Sequence, residues 1–314
     1  MMTMQTIRLG TRGSKLALRQ AELVSAALAK ASPGISVELV TIKTTGDKIL
    51  DSPLSAIGDK GLFTKEIEQA LLDRTIDLAA HSCKDLPSEL APGLAIGAVL
   101  PRENPCDALL SHKGFTLDTL PRGGRVGTSS LRRTAQLKAL RPDLTVVPLR
   151  GNVETRIHKM QNEGLDAIML AHAGIARLRL MDFVTQVLAA ELMVPAPGQG
   201  AIAIEACTSD AALQALLEKI HDAKTGCEVQ AERAFLRRLQ GGCQVPIGCC
   251  AAAAGESISI TGLIASINGQ QVFKESISGS TQETEKLGTS LAERLLAAGA
   301  EQVLKKRCKK QQTF

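Results

Sequence analysis

Apolar positions along the first part of the chain alternate between two rhythms. Between Lys15 and Ala31, the residues Leu16, Ala17, Ala21, Val24 and Leu28 fall at helical spacing, and Ser14 stands where an N-cap belongs. Short apolar runs at 7–9, 37–42, 77–80 and 94–100 predict strands, with a helix over 63–72 among them. This alternation predicts an α/β sheet with helices on both faces, because each crossover helix must bury its apolar stripe against the sheet. Pro101, Asn104 and Pro105 break the pattern and mark a hinge. A second set follows, with strands at 125–127, 145–148 and 167–170 and helices over 131–140 and 153–161. Pro195-Ala196-Pro197-Gly198-Gln199-Gly200 reads as a second crossing, and 201–205 as a strand returning to the first sheet. From Ala223 onward a helix, two alternating strands (257–267 and 272–278) and a helix over 282–298 make a small α+β module.

One segment lacks either period. Residues 43–61 carry glycines at 46, 58 and 61 and lysines at 43, 48 and 60, which predicts a mobile lid over a site, with plain disorder as the alternative.

Composition narrows the class. At 314 residues the chain has room for two or three domains, and 44% apolar with 22% charged residues is ordinary for a globular protein. Six Phe and no Tyr or Trp mean aliphatic cores, and they exclude the aromatic stacking platforms of single-strand nucleic-acid readers. The N-terminus has no apolar stretch of signal-peptide length, and no run is long enough to span a membrane. The eight cysteines, at 83, 106, 207, 227, 243, 249, 250 and 308, show neither a CxxC pair nor a His at zinc-ligand spacing. A metal-free protein in a reduced cytoplasmic setting is the expectation. The basic tail at 305–310 is read as a solvated, frayed terminus.

The net charge of +5 matters only through its placement. Arg12 follows the first strand; Gly127-Thr128-Ser129-Ser130-Leu131-Arg132-Arg133 follows another. Leu149-Arg150-Gly151-Asn152-Val153-Glu154-Thr155-Arg156 follows the next, and Arg177 lies beyond the one after. In open α/β sheets ligands bind beyond the carboxyl ends of the strands, where helix N-termini, hydroxyls and guanidinium groups favour anions. Each arginine alone is explained by a nearby acid; the set points to a ligand with several carboxylates or phosphates.

Two segments carry candidate chemistry. In His81-Ser82-Cys83-Lys84-Asp85-Leu86-Pro87, Asp85 could stabilise a cationic intermediate or exchange a proton with a leaving amine. His81 is read as a structural hydrogen-bonding residue, and Lys84 as a cation without the surroundings of a pyridoxal site. In Gly241-Gly242-Cys243-Gln244-Val245-Pro246-Ile247-Gly248, glycines allow a bulky group to approach Cys243 closely. The same loop would also suit an inert turn cysteine.

In order along the chain, these segments resemble the hydroxymethylbilane synthase family, also called porphobilinogen deaminase. The match runs through Gly10-Thr11-Arg12-Gly13-Ser14, Gly58-Asp59-Lys60-Gly61-Leu62-Phe63, the Asp85 segment, the Ser130 and Arg150 segments, Pro197-Gly198-Gln199-Gly200-Ala201 and the Cys243 loop. The resemblance implies two type II solute-binding-protein-like α/β domains with mixed sheets and a small α+β C-terminal domain. The boundaries would be 1–101 with 199–220, 105–195 and 223–314. It implies a dipyrromethane cofactor held by a thioether to Cys243. Four porphobilinogen units would be condensed onto it with loss of ammonia, and hydroxymethylbilane would be released by hydrolysis. By that resemblance Asp85 assists loss of the amine and stabilises the azafulvenium and pyrrole cations. Arg12, Ser14, Lys60, Ser82, Lys84, Thr128, Ser129, Ser130, Arg132, Arg133, Arg150, Gly151, Asn152, Arg156, Arg177 and Gln199 would bind carboxylates of cofactor or substrate. A cytoplasmic monomer using no nucleic acid or membrane is implied. Cys83 departs from the Met or other apolar residue expected there and is read as a small apolar filler. A non-catalytic polycarboxylate-binding module is the competing reading.

Overall fold

The structure, a computed structural model, describes residues 5–48, 62–240 and 245–304. Its first strands and helices are β1 (Gln5–Thr11), α1 (Lys15–Ala31), β2 (Ile35–Thr41), α2 (Thr45–Lys48), α3 (Lys65–Leu72), β3 (Leu78–Ser82) and β4 (Leu94–Val99). Then come β5 (Asp107–Leu110), β6 (Arg125–Gly127), α4 (Leu131–Leu140), β7 (Thr145–Val147), α5 (Val153–Asn162), β8 (Ala167–Ala171), α6 (His172–Arg177) and β9 (Val184–Leu188). The chain continues through β10 (Ile202–Cys207), α7 (Ala211–Glu218), α8 (Ala223–Arg238), β11 (Ile247–Ala254), β12 (Ser257–Ala265), β13 (Val272–Ser280) and α9 (Thr284–Leu295).

These elements form two five-stranded sheets, ordered β2-β1-β3-β10-β4 and β7-β6-β8-β5-β9, and an antiparallel sheet β11-β12-β13. In the first, β1 runs parallel to β2 and β3, while β10 lies antiparallel between β3 and β4. In the second, β6 runs parallel to β7 and β8, while β5 lies antiparallel between β8 and β9. The two sheets therefore share one plan, in which a strand arriving from a crossing segment fills the fourth position. No sequence repeat announces this, since only the apolar pattern and the connections need agree.

Local chemistry sets the helix starts that matter for the site. The Ser14 hydroxyl accepts from the Ala17 amide at 3.2 Å, opening α1 directly after β1. Helix α1 buries Ala17, Ala21, Val24 and Leu28 against the first sheet. The fully buried Val24 and Leu28 each contribute about 1.5–3 kcal/mol. Ser130 and Asn152 cap α4 and α5 in the same way, each just beyond a strand of the second sheet.

The sequence pattern missed β5, β9, β11, α6 and α7. Strand β11 reads Ile-Gly-Cys-Cys-Ala-Ala-Ala-Ala, a composition with little strand preference, yet pairing with β12 and burial under α8 override propensity. The start of the expected lid is also corrected. Residues 45–48 form α2, and Asp47 docks onto Arg12; residues 49–61 of that segment lie outside the described residues, as does the basic tail.

Candidate active site

The segments that follow the parallel strands of both sheets lie near one another: the charge of Asp85 acts on Arg156, and those of Arg133 and Asp107 act on Lys84. From β1 come Arg12 and Ser14; from β3 come Ser82, Lys84 and Asp85, the last two on a single 3-10 turn, Cys83–Asp85. Asp85 is exposed at the mouth of a pocket that Arg12, Ser14, Ser82, Phe63 and Thr64 also line. The Arg12 guanidinium lies 4.2 Å from the Phe63 ring centroid and pairs with Asp47 at 2.5 Å. Burial would raise the Asp47 carboxyl, but hydrogen bonds from Arg12 and Thr44 hold it below the ordinary range. Ser82 Oγ accepts from Gln20 at 2.8 Å, tying the end of β3 to α1.

From the second sheet, Thr128 Oγ1 accepts from the Ser130 amide, and Ser129 Oγ bonds both the amide and the carbonyl of Leu149. This laces the loop after β6 to the loop after β7. Gly151 has φ +119°, and a Cβ there would meet the Thr155 side chain at 2.7 Å, so only glycine fits this turn. Asn152 spends its side chain on capping α5, and Arg150 stands at the start of this loop.

Arg132 and Arg133 do not open into the pocket that Asp85 lines. Both are buried and share one carboxylate, Asp107, at 2.6 and 2.7 Å. Arg132 also donates to the Val194 carbonyl and Arg133 to that of Met169. Burial would raise the Asp107 carboxyl, but the two guanidinium groups outweigh it and hold it far below the usual range. Gln199 joins them: its Nε2 donates to Asp107 at 2.9 Å and to the Pro105 carbonyl at 2.7 Å, while its Oε1 accepts from Lys84 Nζ at 3.3 Å. A chain of contacts thus runs from the Asp85 turn through Gln199 to the arginines of the second sheet.

Charge around this chain is unbalanced. Lys84 meets an amide oxygen, Arg156 the Gly151 carbonyl and Arg177 the Gly200 carbonyl, all neutral acceptors. Burial pushes Lys84 down to about 8, and it pushes Arg156 and Arg177 down to about 10. With Arg132 and Arg133, these cations share one hydrogen-bonded carboxylate, Asp107, and otherwise donate to neutral oxygens, with Asp85 and Glu103 acting on them only at longer range. A molecule with several carboxylates is what such a group lacks.

Two predicted site residues, Lys60 and Cys243, lie outside the described residues. Cys83 is 2% exposed in an apolar cluster with Leu86, Val99 and Val229, and burial pushes its thiol up to about 11. It fills space, as expected, and is no nucleophile. His81 sits with its Nε2 3.1 Å from the Glu205 carboxylate, both buried, which fits a structural role. Sequence reasoning missed Asp107, whose only signal is an acid opening an apolar run just after the hinge. It also missed the hinge clasp. Arg102 pairs with Glu232 at 2.8 Å and Glu228 at 3.3 Å and donates to the Gln199 carbonyl, while Glu232 accepts from the Gly198 and Ala251 amides.

A two-sheet α/β protein with a surplus of half-buried and buried cations beside an exposed carboxylate is one built for a polyanionic ligand. The chain belongs to the porphobilinogen deaminase family. A family model described as "Porphobilinogen deaminase, dipyromethane cofactor binding domain" matches residues 7–215, and "Porphobilinogen deaminase, C-terminal domain" matches 227–297. The porphobilinogen deaminase of Syntrophomonas wolfei is 54% identical over 301 residues, covering 96% of this chain and 98% of its own. That of Syntrophotalea carbinolica is 50% identical over 303 residues, 96% of each chain. Among solved structures, the periplasmic VFT2 domain of Bordetella pertussis BvgS overlays with a TM-score of 0.41 at 14% identity, over 68% of this chain and 86% of that one. Membership of an enzyme family across both matched parts tells against the non-catalytic binding module. Among the described residues, no helix is long and apolar enough to cross a membrane.

Proposed function

We propose that the chain condenses four porphobilinogen units head to tail, each with loss of ammonia, and releases linear hydroxymethylbilane by hydrolysis. The observation that carries this reading is the surplus of cations around Lys84, Gln199 and Arg156, which fits a tetracarboxylate such as dipyrromethane. When bound as a thioether to Cys243, that group supplies the pyrrole end to which units are added. Lys84, Arg132, Arg133, Arg150, Arg156 and Arg177 are the side chains that would hold its carboxylates and those of the substrate. Thr128, Ser129, Ser130 and Asn152 shape the two helix starts among them, and Gln199 orients Lys84. Arg12 and Ser14, at the pocket beside Asp85, suit the acetate and propionate of an incoming porphobilinogen; Ser82 holds the turn to α1, and Lys60 is assigned to the same set by resemblance. Asp85 faces the aminomethyl group, stabilises the cation left when ammonia departs, and takes up the proton later lost from the attacked carbon.

Three domains are proposed with it, 1–101 with 199–220, 105–195 and 223–314, the first two each built on one five-stranded sheet. A cytoplasmic monomer is proposed as well, with no nucleic-acid partner. The free thiols among the described residues suit a reduced compartment.

Mass measurement of the denatured protein tests the reading. Protein from a tetrapyrrole-synthesising host should carry an added mass of two linked pyrroles, absent in Cys243→Ala. An unmodified wild-type chain would overturn it.

The same variant gives a pH prediction. In cofactor-free Cys243→Ala, burial holds Lys84 near 8 in the folded state, against about 10.4 when unfolded. Between those values the unfolded chain binds more protons, so stability should rise with pH from about 8 toward 10. Lys84→Met in that background should flatten the rise in melting temperature. An unchanged slope would mean that Lys84 is not the strained cation.

A further inference from the structure

Helix α8 crosses behind the turn that carries Asp85, and one side chain links the two. Arg233 Nη2 donates to the carbonyl of Pro87 at 2.8 Å and to that of Ser88 at 3.1 Å. These carbonyls belong to the strand of chain that leaves the turn immediately after Asp85 and Leu86. Upstream, the turn is already fixed: the Cys83 amide donates to the Ala201 carbonyl at 3.0 Å, and β3 lies in the sheet beside β10. Downstream of Leu86, which packs with Cys83 and Val229, the Arg233 guanidinium holds the next two carbonyls.

A docking contact for α8 would be the plainer account, but the helix is docked by other means. Val229 packs into the apolar cluster with Cys83, Leu86, Val99, Ala201 and Ala203. Glu232 and Glu228 bind Arg102, the Gly198 amide and the amides of Ala251 and Ala253. Against that anchorage Arg233 adds little to where the helix sits. What it adds is a forked clamp, with one nitrogen shared between successive carbonyls, on a turn whose exposed carboxylate has no ion pair among the described residues to hold it. A catalytic group displaced by an ångström loses about a hundredfold in rate.

We propose that Arg233 is a positioning residue for the condensation, fixing Asp85 by clamping the carbonyls of Pro87 and Ser88 to α8. The inference rests on the reading of Asp85 given above.

The test uses the full-length chain. Arg233→Met keeps the apolar stem and removes the fork; Arg233→Lys keeps a cation but offers a single ammonium point. Both should retain the added mass on Cys243. For Arg233→Met, kcat should fall about a hundredfold with KM for porphobilinogen within about twofold, and Arg233→Lys should recover part of the loss. In an Asp85→Glu background, where the carboxylate is already displaced, Arg233→Met should cost no more than about threefold, since residues acting through one another are not additive. A readout independent of turnover comes from cofactor-free Cys243→Ala: there Arg233→Met should speed hydrogen exchange at the amides of Leu86, Ser88 and Glu89 while leaving Thr225 to Glu232 protected.

Turnover of Arg233→Met within twofold of the parent, a fully additive loss with Asp85→Glu, or unchanged exchange at the turn would each overturn the proposal. If Arg233→Met fails to fold, Arg233→Lys decides: full activity overturns, a kcat loss with intact KM and added mass supports. Asp85→Asn run alongside separates the two readings. Normal turnover there removes the role of Asp85 and this inference with it, whereas a dead Asp85→Asn beside a fully active Arg233→Met removes this inference alone.

Discussion

Asp85→Asn is expected to lose about two to four orders of magnitude in porphobilinogen turnover while folding normally and still carrying its added mass on Cys243. The substitution keeps the size and the hydrogen-bonding shape of the side chain and removes only its charge and its ability to hold a proton. Asp85 is exposed and has no ion pair among the described residues, so its charge holds no part of the fold together. Its surroundings give the charge its value. Lys84 and Arg156 both feel it, each being drawn back toward the charged form that burial opposes. In a cleft whose remaining ions are almost all positive, a cation generated by amine loss has this one nearby carboxylate to face. An amide cannot replace it. Single-turnover measurements should show porphobilinogen still binding, since Arg12 and Ser14 are untouched, with ammonia release slowed. Near-normal turnover would remove Asp85 from the chemistry, and loss of the added mass would show instead that it is needed to assemble the site.

The residues differ in how far the sequence alone could place them. Helix α1 was legible because its apolar spacing and the Ser14 cap agree; the same holds for α4 and α5, whose caps Ser130 and Asn152 stand at strand ends. Those coincidences also made the anion-binding rim legible. Strand β11 was not, because four alanines in a row favour helix and only the partner strand and the covering helix decide otherwise. Nor was the division of labour among the arginines. Arg12, Arg132, Arg133, Arg156 and Arg177 look alike in sequence, but Asp47 neutralises the first, Asp107 is shared by the next two, and the last two are left with carbonyl oxygens. Which arginine finds an acid depends on residues far away in the chain. Asp107 and Arg132 are brought together by the pairing of β5 with β8 beside α4, a contact that no local pattern contains.

Asp107→Asn should be the most destabilising single change at the site, costing about 3–5 kcal/mol. It leaves two buried guanidinium groups sharing no counter-charge, and it sets an amide NH2 donor against the Arg132 guanidinium in place of the oxygen that accepts from it. In the wild type the Asp107 carboxyl is held far below its unfolded value of about 3.9. A depressed carboxylate contributes stability that is fully present above the unfolded value and is lost progressively as pH falls from there through the folded one. Asp107→Asn should therefore show its full deficit from about pH 5 to 8, and the gap to the wild type should narrow steadily as pH falls below about 4. Arg132→Met, Arg133→Met and Asp107→Leu combined separate structure from ligand binding. Replacing a whole buried ion cluster with apolar groups of similar size is often neutral or better for stability, so this triple variant should melt close to the wild type. It should nonetheless fail to acquire the added mass on Cys243, because the two guanidinium groups that would meet cofactor carboxylates are gone. A triple variant that is both stable and loaded would show that Arg132 and Arg133 serve only to bind Asp107, and would strike them from the carboxylate-binding set.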